Sequence, residues 1–299
     1  MSFFAEFYHR LSKIKNHLKK VNFRRYYIAM KKLFILLLSA VLLLSLLGSC
    51  SKPSGKLKVG MECDYAPFNW TQTDTKNGAV PISNDSTGYA GGYDVQMAKK
   101  IADSLGMELE IIKIEWNGLI PALTSDKIDL IIAGMSPTDE RKEVIDFSDY
   151  YYESDLVIVI RKDSAYANAT SVSDFAGAKI TGQQGTTHYE VIDQIAGVKK
   201  QEAMQDFASM MNSLKAGFID GYVSERPGAL AAAHVHSDLT FVGFAADKGF
   251  IYDINESNIS IGMKKGGDLL DKVNGALAKI SKDERAKIMD QAIADSAED

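Results

Sequence analysis

Cysteine is scarce in this 299-residue chain: there are two, Cys50 and Cys63. Two thiols cannot build a framework of several bridges, so the fold must be held by its hydrophobic core. No Walker loop, nucleotide-binding glycine fingerprint or nucleophile elbow occurs, which removes the usual signatures of phosphate, dinucleotide and acyl chemistry. No segment repeats at a solenoid period. His234 and His236 lack a third ligand nearby in sequence and do not make a metal motif, so no cofactor is expected. Positive charge is short where it would matter. Of 34 basic and 39 acidic residues, nine basic and one acidic lie before Cys50, which leaves 25 against 38 and a net charge of −13 over residues 50–299. Such a balance argues against nucleic acid or an anionic membrane face as partner.

One long apolar run is present. Met30-Lys31-Lys32 precedes Leu33 to Leu47, 15 almost purely apolar residues, and Gly48-Ser49-Cys50 follows. As a helix the run covers roughly 22 Å, short of the roughly 30 Å hydrocarbon core. Basic flank, short apolar segment and small residues are the layout of a secretory signal. Leu47-Gly48-Ser49-Cys50 resembles a bacterial lipobox. That resemblance implies cleavage before Cys50, diacylation of its thiol, and a chain tethered to the outer face of a Gram-positive cell membrane. An uncleaved membrane anchor is the alternative. Residues 1–29, basic and aromatic, precede a complete signal at 30–49 and are expected to be an extension ahead of the true start at Met30; a long n-region is the alternative. With Cys50 acylated, Cys63 has no thiol to pair with. Residues 50–56 read as a short flexible linker.

From Leu57 onward short apolar runs alternate with helical periodicity. Strands are predicted at Leu57–Met61, Leu109–Ile114 and Asp129–Ala133. Between them fall a helix over Asp94–Leu105, with Asp94 as its cap, and a short helix over Trp116–Leu123. This βαβαβ series predicts a parallel sheet. After a strand at Asp155–Arg161 a second series follows, with strands at Lys179–Thr181, Ile219–Val223 and Leu239–Val242 and helices at Thr187–Ile195, Phe207–Ala216 and Pro227–His234. Phe207, Met210, Met211 and Leu214 share one helix face, expected to be core, and Gly217 is placed to end that helix. A strand at Ile259–Met263 and helices at Asp268–Ile280 and Lys282–Ala294, the last capped by Ser281, close the chain. The polar stretch Thr71–Tyr89 reads as a surface loop or hairpin without a role.

The most chemical stretch is Ala133-Gly134-Met135-Ser136-Pro137-Thr138-Asp139-Glu140-Arg141. It follows a buried strand and opens a helix. Ligands bind at strand ends of open α/β sheets, helix starts offer free N–H groups, and the planar fork of Arg141 matches a carboxylate. Ser136 adds a hydroxyl. The pattern describes a carboxylate trap, or equally a surface arginine paired with Glu140 or Asp146.

Six short stretches, in order and at family spacing, resolve this by resemblance. They are Glu62-Cys63-Asp64-Tyr65-Ala66-Pro67-Phe68, Gly92-Tyr93-Asp94-Val95, Trp116 to Leu123, Thr138 to Arg141 with Ile145-Asp146-Phe147-Ser148, Gln184-Gly185-Thr186-Thr187, and Ile219-Asp220-Gly221-Tyr222. Over residues 57–290 the chain is similar to the extracellular solute-binding proteins of the polar amino acid family, which serve ABC importers. The resemblance implies a two-lobed α/β fold of the periplasmic-binding-protein type. Lobe 1 would be 56–155 plus 257–299, lobe 2 would be 156–256, and a two-strand hinge would lie near Asp155–Arg161 and Tyr252–Ser260. It also implies a free amino acid ligand, an ABC permease partner in the same membrane and a monomeric protein.

By the same resemblance Arg141 and Ser136 hold the ligand α-carboxylate, with backbone N–H groups of the Thr186 and Thr187 loop. Gly134, by its carbonyl, and Glu225, where the family often has Asp, take the ammonium; Met135 lies in the same segment. Glu62, Tyr65 and Trp116 read the side chain, with Gln183 reaching from the other lobe. An acid between two aromatics suits arginine or lysine, then glutamine. Without the resemblance, Tyr65 and Trp116 read as core aromatics, Glu62 as a solvated loop acid and Cys63 as a buried thiol. Two rivals share the fold. One is a dehydratase-type enzyme using Glu62 or Glu225 as general acid or base on a small carboxylic acid; the other is a ligand-sensing module.

Overall fold

A computed structural model describes residues 55–153 and 155–296, together with Glu6, His9, Arg10, 12–17, Tyr27 and Lys31. The chain divides into two units, Met1–Lys52 and Pro53–Asp299. The described residues of the first are helical and exposed. The signal at 30–49 and its flanks, apart from Lys31, Cys50 with its acylation and most of the linker lie outside the described residues. Among the described residues no helix is long and apolar enough to cross a membrane.

The second unit has two α/β lobes. In the first, β1 (Lys56–Met61), β2 (Asp64–Tyr65), β3 (Asn69–Gln72), β4 (Val80–Pro81) and β5 (Tyr89–Gly91) lead into helix α1 (Tyr93–Leu105). Then come β6 (Glu108–Lys113), α2 (Leu119–Thr124), β7 (Leu130–Ile131), α3 (Asp139–Val144) and β8 (Ile145–Tyr152). After a crossing at 153–155 the second lobe runs β9 (Leu156–Arg161), β10 (Lys179–Thr181), α4 (Thr187–Glu190), β11 (Lys199–Lys200), α5 (Phe207–Lys215), β12 (Gly221–Glu225), α6 (Arg226–Val235) and β13 (Leu239–Val242). The chain returns through α7 (Ile254–Ser257) to β14 (Ile259–Lys264), α8 (Leu270–Leu277) and α9 (Lys282–Asp295).

The two main sheets repeat one topology, β6-β1-β7-β14-β8 and β11-β10-β12-β9-β13. The parallel sheet expected from the βαβαβ pattern is therefore only half of each. β1 runs parallel to β6 and β7, but β14 pairs antiparallel with β7 and β8; β9 does the same in the second sheet. The antiparallel strands are the ones next to the crossings, and each enters its sheet from the opposite direction. Their sequences read as parallel-type because both faces are covered: Val157 and Val159 join one core cluster while Leu156, Ile158 and Ile160 join the other. The second crossing carries a short helix instead of the strand expected over Tyr252–Ser260, since the Asp253 carboxylate accepts from Asn255 N at 2.8 Å and starts a turn there.

Two other expectations change. Asp94 does not cap α1. Backbone carbonyls of Pro67 and Phe68 take the N–H groups of Tyr93 and Asp94, and Gly92, at φ +116, lets that backbone come close; a Cβ there would sit 2.4 Å from Phe68 O. The Asp94 side chain instead points inward. The stretch Thr71–Tyr89 is no mere decoration either. It contributes to a third sheet, β2-β3-β5-β4, whose strands of two to four residues are too short for polar alternation to reveal. The buried Gln72 amide ties its turn by donating to Asp74 O and Lys76 O, each at 3.1 Å.

Strands β1, β6, β7, β10 and β12 end toward the gap between the lobes, the place where open parallel sheets expose N–H groups and loops. Glu62 follows β1, Trp116 follows β6, Gly134 follows β7, Gln183 follows β10, and Glu225 ends β12.

Candidate functional site

Strand ends bring most of the predicted residues to one cleft: Tyr65, Trp116, Gly134, Ser136 and Arg141 on one side, Gln183, Thr186, Thr187 and Glu225 on the other. The cleft is narrow, with a cavity of about 20 Å³, because the two sides touch through their own polar groups.

Arg141 sits on the first turn of α3, whose N-cap Thr138 accepts from Arg141 N at 3.4 Å. Its guanidinium neither pairs with Glu140 or Asp146 nor points outward. Nη1 donates to Ser136 O at 2.7 Å, Nη2 donates across the cleft to Gly185 O at 2.8 Å, and the group lies 5.0 Å from the Trp116 ring centroid. Burial lowers its pKa to about 10, so it stays charged at neutral pH. A planar cation held by carbonyls and an aromatic face, with no carboxylate partner among the described residues, is available to an anion. Ser136 Oγ donates to Ser257 O at 3.2 Å.

Gly134 stands at φ +60, and a Cβ would lie 3.1 Å from Tyr65 Cε1; glycine is needed for both reasons. Its N–H donates to Tyr151 Oη at 3.4 Å, and Tyr151 donates to Asp94 at 2.6 Å. Asp94 also accepts from Asn69 Nδ2 at 2.8 Å, and Asn69 Oδ1 accepts from Cys63 N at 2.7 Å. Burial pushes Asp94 up to about 6, with the hydrogen bonds from Tyr151 and Asn69 opposing it. This buried chain of polar groups holds the Gly134 loop. Cys63 is a buried thiol, pushed up to about 12 mainly by burial.

Glu225 is buried and fully engaged. It accepts from Tyr65 Oη of the opposite lobe, and from His188 Nε2 of its own lobe at 2.8 Å. Burial alone would raise its pKa, but the His188 contact and the Tyr65 hydrogen bond outweigh it and the net shift is downward. His188, on α4, is a cleft residue that sequence reasoning misses. A histidine after Thr-Thr carries no periodic signal, and only the fold brings it to Glu225. Its Nδ1 is buried with no partner among the described residues.

Tyr65 stacks on Phe207 at 4.0 Å and on Phe68 at 5.0 Å, and Trp116 carries Arg141. Phe207, on the buried face of α5, is thus also a contact between lobes. Met135 does not line the cleft: it is 1% exposed and its carbonyl accepts from Ser260 N at 2.9 Å, so it belongs to the core. Thr186 Oγ1 donates to Gln183 O at 2.7 Å and shapes the loop.

Glu62 is not a solvated loop acid. It is 6% exposed and faces a larger cavity beyond Trp116. Oε1 accepts from Gln183 Nε2 at 3.0 Å; Oε2 has no partner among the described residues. Burial pushes its pKa up to about 8, only partly offset by Gln183. Among the described residues the site therefore has a cation without a carboxylate partner at one end, Arg141, and an unsatisfied acid beyond an aromatic ring at the other.

The Arginine-binding extracellular protein ArtP of Bacillus subtilis (strain 168) is 30% identical over 84% of this chain and 93% of its own length. The L-cystine-binding protein TcyJ of Escherichia coli (strain K12) is 29% identical over 78% and 80%. A crystal structure of an amino acid ABC transporter substrate-binding protein from Streptococcus pneumoniae, bound to L-arginine, superposes with a TM-score of 0.70 at 28% identity, covering 80% of this chain and 94% of that one. The profile of the Bacterial extracellular solute-binding proteins, family 3, matches residues 57–294, so that this chain belongs to that family.

Proposed function

We propose that this protein is the substrate-binding component of an ABC importer for a polar L-amino acid, arginine or lysine ahead of glutamine. The observation that carries the reading is the pairing of opposite chemistry along one path: among the described residues, Arg141 has no carboxylate partner, Trp116 follows, and then comes buried Glu62 with an unpartnered oxygen. The α-carboxylate replaces the Gly185 carbonyl at Arg141, aided by Ser136 and the loop N–H groups of Thr186 and Thr187. The ammonium goes to Gly134 O and Glu225, displacing the Tyr65 hydroxyl. A cationic side chain passes Trp116 and ends at Glu62, with Gln183 beside it. An arginine relative and an arginine-bound structural neighbour favour this choice.

The lobes, 56–155 plus 257–299 and 156–256, close on the ligand. It enters through lobe 1 and recruits lobe 2 through contacts made only when closed; the closed monomer is what the permease recognises. The protein binds without turnover. A diacyl group on Cys50, two chains being enough for a stable anchor, keeps it on the outer face of a Gram-positive membrane. A thermal-shift screen of the common amino acids tests the reading, because a ligand that binds only the folded state raises the melting point. Arginine and lysine should give the largest shifts. No shift with either, or chemical conversion of a bound amino acid, would overturn it.

A further inference from the structure

The path through the cleft ends at Glu62, but the space does not. Glu62 opens onto a cavity of about 660 Å³, bounded by the first lobe and by the start of α5 in the second. At about 30 Å³ per water this is room for roughly twenty waters, several times what a guanidinium displaces. Five carboxylates line it, Glu62, Asp64, Asp85, Glu115 and Asp206, against one amine, Lys113. Lys113 Nζ is spent on Thr71 Oγ1 at 3.0 Å. Asp64 is raised above its ordinary value by burial and then by the charge of Asp206. An acidic cluster alone would be a solvated face. The separate observation is Glu62 itself, more than nine-tenths buried at the throat, with Oε2 unpartnered among the described residues; a buried polar group left without a hydrogen bond is costly unless a partner arrives.

We propose that this chamber is a subsite for a second cationic centre: the protein takes α-amino acids whose side chain carries a primary ammonium farther out than the guanidinium of arginine. Asp64 and Asp85 of lobe 1 face that ammonium, Asp206 of lobe 2, whose carboxylate caps α5 by accepting from Ser209 N and Oγ, adds its charge, and Glu62 holds the throat. The inference rests on the amino acid reading of the cleft. It also assigns a role to the Asn84–Ser86 turn, which has none in the polar pattern of its sequence.

The test compares Nε-glycyl-L-lysine with Nε-acetyl-L-lysine by calorimetry, two side chains of similar length of which only the first ends in an ammonium. L-arginine is measured alongside. The glycyl derivative should bind at least about tenfold tighter, the worth of one partly buried charge-assisted contact. In Asp64→Asn/Asp85→Asn, where asparagine keeps the turn made by Asp85, that preference should fall to within about threefold while the Kd of L-arginine moves less than about threefold. Equal binding of the two derivatives to the natural protein would overturn the subsite and leave the amino acid reading intact. So would a double variant that weakens L-arginine as much as the glycyl derivative. Failure of L-arginine, L-lysine and both derivatives alike would overturn the amino acid reading and the subsite together.

Discussion

Glu62 titrates near pH 8, so at neutral pH it is mostly protonated, and a cationic side chain must displace its proton to pair with it. At pH 7 the displacement costs about 1.4 kcal/mol, RT ln(1 + 10). Two consequences follow for arginine. Affinity should rise roughly fifty-fold between pH 6 and pH 8, the ratio of the ionised fractions. About 0.9 proton should be released per arginine bound at pH 7. Calorimetry in two buffers of different ionisation enthalpy measures that number directly.

Glu62→Gln should abolish both effects. A hydrogen bond to a charged group contributes about 1.5–3 kcal/mol. At pH 8 the deprotonation cost has shrunk to about 0.4 kcal/mol, so the variant should lose about 1–2.6 kcal/mol, roughly 6- to 80-fold in Kd. At pH 7 the loss would shrink to about 0.1–1.6 kcal/mol, which makes pH 8 the better place to look. A neutral ligand such as glutamine releases no proton and should bind the variant within about threefold of the original. Arginine binding with no buffer dependence would mean that its side chain does not reach Glu62, and the reasoning would fail there.

Arg141→Ala should remove detectable amino acid binding by calorimetry, and Arg141→Lys should not restore it, since a lysine lacks the planar fork; unchanged affinity in Arg141→Ala would refute the carboxylate assignment. Gly134→Ala should lower stability by about 1–2 kcal/mol, because φ +60 is strained for any side chain, and denaturant melts read this. Asp94, raised to about 6 when folded, binds a proton more tightly in the folded than in the unfolded chain. Its contribution is therefore fully present below about pH 4 and lost as pH rises through 6, at about 1.4 kcal/mol for each pH step of one between those limits; Asp94→Asn should flatten that part of the stability profile. Phe207→Ala should weaken ligand binding about tenfold or less, since the Tyr65 stack is worth about 0.5–1.5 kcal/mol beyond area, and should do so through faster release in stopped-flow measurements.

Much of this protein was open to a reader of its residues. Strand and helix positions such as Lys179–Thr181, Leu239–Val242 and the Ser281-capped last helix follow from local periodicity and caps, which depend only on neighbours in sequence. Arg141 and its loop stand out because a strand end, a helix start and a planar cation coincide within nine residues. What periodicity cannot express is direction and partnership across the fold. The antiparallel entry of β9 and β14 depends on where the chain has been, not on which residues it carries. Burial raises Glu62 to about 8, and the Gln183 amide that donates to it comes from the other lobe. The tie between Glu225, His188 and Tyr65 joins residues far apart in sequence, and none of the three has a distinguishing local pattern. Sequence alone determined which chemistry is available, since residue type sets charge and hydrogen-bonding capacity. Only tertiary structure decided which of those groups are desolvated, satisfied or left free, because desolvation is a property of everything packed around a group.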